Sequence, residues 1–183
     1  MAAKKQLSFH SLTNYKLHNA RLLIDLVESQ QDSFVRSALL DSALMQLLQA
    51  YRCFLGEIAQ FAKVDQLIFP DIDSITAKEL KLLLLERHQV VPELEEVYLL
   101  ESRYDSWLYL LFSAYRRSYA DRLEHKVVIV SESNQRPLGS LEGIALQNIE
   151  DDFCSYVSID QLRSWRRALS SLVMKMRECL QEW

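Results

Sequence analysis

Residues 40–61 read Leu40-Asp-Ser-Ala-Leu44-Met-Gln-Leu47-Leu-Gln-Ala-Tyr51-Arg-Cys-Phe54-Leu-Gly-Glu-Ile58-Ala-Gln-Phe61. Leu40, Leu44, Leu47, Tyr51, Phe54, Ile58 and Phe61 recur at alternating steps of four and three, the spacing that puts side chains on one face of an α-helix. The stripe predicts a long helix from about Phe34 to Val64, roughly 45 Å at 1.5 Å per residue. A helix this one-sided must lie against other helices. Gly56 sits inside it, at a cost of about 1 kcal/mol against Ala, which predicts a close helix crossing at that point.

Upstream, Leu12 to Ser29 reads as a first helix, with Leu12, Tyr15, Leu22, Leu23, Leu26 and Val27 as its apolar side and Arg21 paired with Asp25 on its surface. Gln30-Gln-Asp-Ser33 is a polar break in which Asp32 or Ser33 can N-cap the long helix. Downstream, the long helix is expected to end before Phe69-Pro-Asp71. Thr76-Ala-Lys-Glu79 is a capping box that opens a short third helix to about His88, with Leu80, Leu83 and Leu84 inward. Leu82 and Leu85 make this helix apolar nearly all round.

Pro92 and the acidic Glu93, Glu95 and Glu96 mark the start of a fourth helix, expected to run to about Ala120. Its inward face reads Leu94, Val97, Tyr104, Leu108, Leu111 and Tyr115, with Trp107 beside them. Val127 to Ile149 loses the helical pattern, and residues 127–157 read as an irregular connecting segment. Ser158-Ile-Asp-Gln161 is a second capping box. It opens a last helix carrying Leu162, Trp165, Leu169, Leu172, Met176, Cys179 and Trp183 at steps of three and four. The expected fold is therefore all-α: one domain over residues 1–183, an antiparallel bundle of four long helices with a short accessory helix.

Composition agrees. The 183 residues are 49% hydrophobic and 25% charged, with only three glycines and three prolines, which favours long helices over strands and turns. The net charge of −4 predicts no global attraction to nucleic acid or to an anionic membrane. No signal peptide is read in Met1-Ala-Ala-Lys-Lys-Gln6, and no apolar run reaches the roughly 20 residues of a membrane span. Cys53, Cys154 and Cys179 form no CxxC pair, which points to reduced thiols in the cytoplasm.

Four segments carry a family resemblance: Thr13-Asn-Tyr-Lys-Leu-His-Asn-Ala-Arg-Leu22, Glu57-Ile-Ala-Gln-Phe61, Ser164-Trp-Arg-Arg-Ala-Leu169 and Met176-Arg-Glu-Cys-Leu180. Together they resemble a small family of bacterial all-helical proteins of unknown function. The resemblance implies a bacterial cytosolic origin and brings no activity with it.

The chain carries few residue patterns with a chemistry of their own. His10, His18, His88 and His125 lack the paired spacing of a helical metal site. An Arg followed after four to six residues by His, as in helical nucleases of the HEPN type, does not occur: the gaps before His125 are two, seven and eight. Phosphate-loop and nucleophile-elbow motifs are missing too. No metal and no cofactor is expected, and the reading leans away from an enzyme.

Two basic groups stand out: Arg116, Arg117 and Arg122 amid tyrosines, and Arg163, Arg166 and Arg167 near the start of the last helix. Cations are disfavoured at a helix start, so an acidic neighbour is required. Glu150, Asp151 and Asp152 are candidates within the chain, and an anionic partner is the alternative. Asn14, His18 and Asn19 read as polar contacts between helices.

The expected function is a non-catalytic interaction or regulatory protein that docks a protein partner or a second copy of itself. Leu82, Leu85 and Trp183 are the candidate apolar interface. The alternative is binding of nucleic acid or a phosphate ligand through the six arginines, which requires the two groups to share a face. The opening stripe leaves one question of its own: what the Tyr51 hydroxyl touches.

Overall fold

The computed structural model describes residues 8–64, 75–118 and 157–181. Among these every regular element is a helix. In chain order they are α1 (Phe9–Ser29), α2 (Ser33–Phe61), α3 (Ala77–Glu86), α4 (Pro92–Ser102), α5 (107–118) and α6 (Ile159–Gln181). Residues 127–156 of the expected irregular segment lie outside the described residues, as do Arg122, Cys154, Trp183, the Phe69–Pro70 boundary and Glu150 to Asp152.

The helix starts follow side-chain chemistry written in the sequence. Asp32 caps α2 by accepting from the Phe34 and Val35 amides at 2.8 and 3.1 Å. Both capping boxes form: Thr76 with Glu79 on α3, and Ser158 with Gln161 on α6. α3 ends at Glu86; just beyond it His88 takes a left-handed φ of 57° while Gln89 N–H donates back to the Leu84 carbonyl at 2.9 Å. This is the helix-ending geometry that glycine usually serves.

α1 and α2 form an antiparallel pair, since Lys16 meets Gln49 and His10 lies beside Glu57. At the crossing, a Cβ on Gly56 would lie 2.9 Å from the Phe9 ring. The glycine is there because α1 presses an aromatic ring onto the α2 backbone. α6 runs antiparallel to α1: Arg163 pairs with Glu28 at one end, and Arg177 reaches Asn14 and Glu57 at the other. α5 packs on α2 through Phe112 against Tyr51 and Ser118 against Asp41. α3 and α4 pair through Lys81 with Glu95 and the Ala77 amide with Glu101. Lys175 of α6 joins this layer to the others through Glu96.

Six of the seven stripe residues are buried, from Leu40 to Ile58, while Phe61 at the end of α2 is half-exposed. Leu162, Trp165, Leu169, Leu172 and Met176 of α6 join the same core.

Two expectations are corrected. The fourth helix is not continuous. Residues 103–106 separate α4 from α5, because Ser106 turns the chain. Its hydroxyl donates to the Leu100 carbonyl and accepts from the Tyr109 amide at 3.0 Å, so it ends one helix and caps the next. Tyr104, read as inward, lies in this break and is 80% exposed. On α1 the core face is Thr13, Ala20, Ile24 and Val27, whereas Tyr15, Leu22 and Leu26 point to solvent. A helix with apolar residues on two sides leaves its orientation to its neighbours.

Candidate functional site

Tyr51 is fully buried in the middle of α2. Its ring meets Phe112 of α5 edge-on, with centroids 5.5 Å apart and planes at 86°. The stripe places the hydroxyl inside the core, and there it faces the carboxylate of Glu101 on α4. Among the described residues no group stands in hydrogen-bond geometry to it. Burial first, then the negative charge of Glu101, holds the Tyr51 pKa well above its ordinary value.

Glu101 has a second task. It accepts from the Ala77 amide at 2.9 Å, at the first residue of α3, and the Lys78 amide also favours its ionised form. It therefore stabilises the positive end of the α3 dipole from another helix. Burial outweighs these backbone donors, so its pKa lies above the usual carboxylate range. Glu79, fixed in the α3 capping box, adds a smaller push in the same direction.

In front of this pair lies a cleft of about 320 Å³ between the start of α3, α4 and α5. Tyr98, Tyr109 and Phe112 supply aromatic surface, Glu101 a carboxylate, and Lys78 and Arg116 two cations. Thr76, Ser102 and Ser113 add hydroxyls. Lys78, Leu82 and Leu85 follow at steps of four and three, so they share one face of α3 that leads out of the cleft. Leu82 and Leu85 are half-exposed along it. The cleft can receive an acidic group at Lys78 and Arg116 and an apolar or aromatic body against its rings.

Of the six candidate arginines, the structure brings Arg116 to the cleft, beside Lys78. Arg117 is exposed and its Nε reaches the Ser113 carbonyl at 3.4 Å. Arg163 is held by Glu28 at 2.5 Å and Asp160 at 3.8 Å. These acids, Glu28 foremost, raise its pKa. Among the described residues, the acidic neighbour that the sequence required is thus supplied mainly by α1. Arg166 is half-exposed and Arg167 exposed. Asn14 accepts from Arg177 at 2.9 Å, a helix–helix contact as expected. Cys53 is buried and Cys179 half-buried.

The sequence reading missed Glu101, Tyr98 and Tyr109. Glu101 had a legible signal: it follows Leu94 and Val97 at steps of three and four, a carboxylate in the core series of α4. Among the described residues no three His, Cys, Asp or Glu side chains converge as a metal site would require. Nor is any helix among them long and apolar enough to cross a membrane.

Fold and site together define a protein that is helical in its described residues, with a charged, aromatic-lined cleft. The chain belongs to a family of unknown function, DUF6586, which matches residues 8–183. No curated protein and no solved structure matches it.

Proposed function

We propose that this protein works without catalysis, by docking a protein partner on the cleft and the outward face of α3. One observation carries the reading: Lys78, at the cleft, continues along α3 into the exposed pair Leu82 and Leu85. The partner this surface fits is an acidic segment with apolar anchors. Its carboxylates would meet Lys78 and Arg116, and its apolar side chains Tyr98, Tyr109 and the two leucines. Three ion pairs elsewhere hold helices together: Arg177 with Glu57, Arg163 with Glu28, Lys175 with Glu96. Trp183 belongs to the same proposal as a further apolar contact. A single helical-bundle domain, in the reducing cytosol of a bacterium, is the setting the reading assumes.

The test is affinity capture from the native extract with the wild-type chain, Leu82→Asp/Leu85→Asp and Arg116→Glu. A discrete protein held by the wild type and lost by both variants supports the reading. Retention of every captured protein by both variants sinks it.

A second reading is anion binding, favoured by the meeting of Arg116 and Lys78 in one cleft. Arg117, Arg122, Arg166 and Arg167 would extend it; Arg163 is paired with Glu28 and Asp160. Salt-dependent binding of a phosphate-bearing ligand, lost in Arg116→Glu, would distinguish it.

A further inference from the structure

α1 carries a second seam, opposite the one that fills the core. Tyr15, Asn19, Leu22, Leu26 and Ser29 recur at steps of four, three, four and three. Tyr15, Leu22 and Leu26 are 56%, 48% and 49% exposed. Isolated exposed leucines need no explanation. A heptad-spaced set on a helix whose other side is already packed against α2 and α6 has the pattern of an interhelical contact.

We propose that this seam docks on the same seam of a second copy, the two α1 helices lying antiparallel about a two-fold axis. An axis level with Ile24 sets Leu22 against the partner's Leu26 and Leu26 against the partner's Leu22. In the same register Asn19 meets the partner's Ser29, and a polar pair within an apolar seam fixes alignment at some cost in strength.

The flanking charges select the occupant and the direction. Arg21 and Asp25 lie on one flank and pair within the helix at 3.6 Å, both largely exposed. In an antiparallel pair like flanks meet, and Arg21 comes within about 3 Å of rise of the partner's Asp25. The flank then reads Arg, Asp, Asp, Arg. The two Asp25 carboxylates approach each other, but each lies between an arginine of its own chain and one of the other; on the same flank Glu28 is paired with Arg163 of α6, whose charge Asp25 also feels, so the flank stays balanced. In a parallel pair this flank would face Leu23, which offers no charge. The seam is thus complementary to itself in one direction only.

α1 spans about 31 Å, and a single helix pair of this length is a small interface, so the dimer is weak and concentration-dependent. The surface is separate from that on α3, and either can fail without the other.

Sedimentation of the full chain from about 1 to 500 µM, the range of a weak dimer, tests the proposal. The expected mass rises from one chain toward two. Asp25→Arg alone and Arg21→Asp alone each weaken association by about tenfold or more. Mixed in equal amounts, those two variants recover it as a heterodimer, since one flank is then all cationic and the other all anionic. Leu22→Glu/Leu26→Glu stays monomeric, and Leu82→Asp/Leu85→Asp dimerises as the wild type does. Thermal melts by circular dichroism check that the variants are folded, which their outward positions predict. A wild type that is monomeric throughout overturns the proposal, whether another segment or another partner covers the seam. So does a dimer that the leucine and charge variants leave intact, and so do charge variants that fail to recombine.

Discussion

Replacing Tyr51 by Phe removes a hydroxyl that is fully buried and has no acceptor in hydrogen-bond geometry among the described residues. A buried polar group in that condition costs about 1–3 kcal/mol of desolvation, while a well-made hydrogen bond contributes about 1 kcal/mol net. The two cases give opposite signs. The ring itself is unchanged, so the edge-on contact with Phe112 survives. From the geometry the variant is stabilised by about 1 kcal/mol, which for a chain of this size is a rise in Tm of about 2–4 °C. Urea unfolding read by circular dichroism measures it, with an unchanged m-value showing that the unfolded state is unaffected. A loss of 1 kcal/mol or more would refute the reasoning, because it would mean that Glu101 accepts a good hydrogen bond from this hydroxyl.

Glu101 itself predicts a pH dependence. Its pKa is raised in the folded state, so the native protein holds this proton more tightly than the unfolded chain. The resulting stability is fully present below the unfolded carboxylate value, about 4.3, and is lost as pH rises through the raised folded value. Glu101→Gln flattens the stability profile across that window, and superimposable profiles for the two proteins would contradict the assignment. Arg177 gives two hydrogen bonds to Glu57, at 2.9 and 2.8 Å, with the side chains 18% and 10% exposed. Arg177→Met strands that carboxylate and costs about 3 kcal/mol by denaturant unfolding, most of it recovered by adding Glu57→Gln; a cost under 0.5 kcal/mol, the scale of a surface pair, would contradict this. Gly56→Ala gains about 1 kcal/mol of helix propensity yet destabilises overall, because its Cβ would press on the Phe9 ring; Phe9→Ala in the same chain restores the gain, and a lone Gly56→Ala that raises Tm shows the ring to be movable.

The α2 stripe, the Thr76 and Ser158 capping boxes and the Asp32 cap were all legible because each depends on residues within one or two turns of helix. Their geometry is local, and the structure reproduces it. The break between α4 and α5 escaped because the apolar steps of three and four carry through residues 103–106. Only the hydroxyl of Ser106, turned back to Leu100, shows that the backbone does not. On α1 the sequence offers two apolar sides, and packing against α2 and α6 decided which one is core.

The sequence by itself determined that the described residues are helical, where most of those helices begin, and that Tyr51 lies in the core, since periodicity and capping are properties of neighbouring residues. Tertiary structure alone decided what the Tyr51 hydroxyl faces. It set Glu101 of α4 at the start of α3 and in front of α2, gathered Lys78 and Arg116 into one cleft, and gave Arg163 its counter-charge from α1. These groups are far apart in the chain, and only the packing of one helix face on another fixes the distances between them.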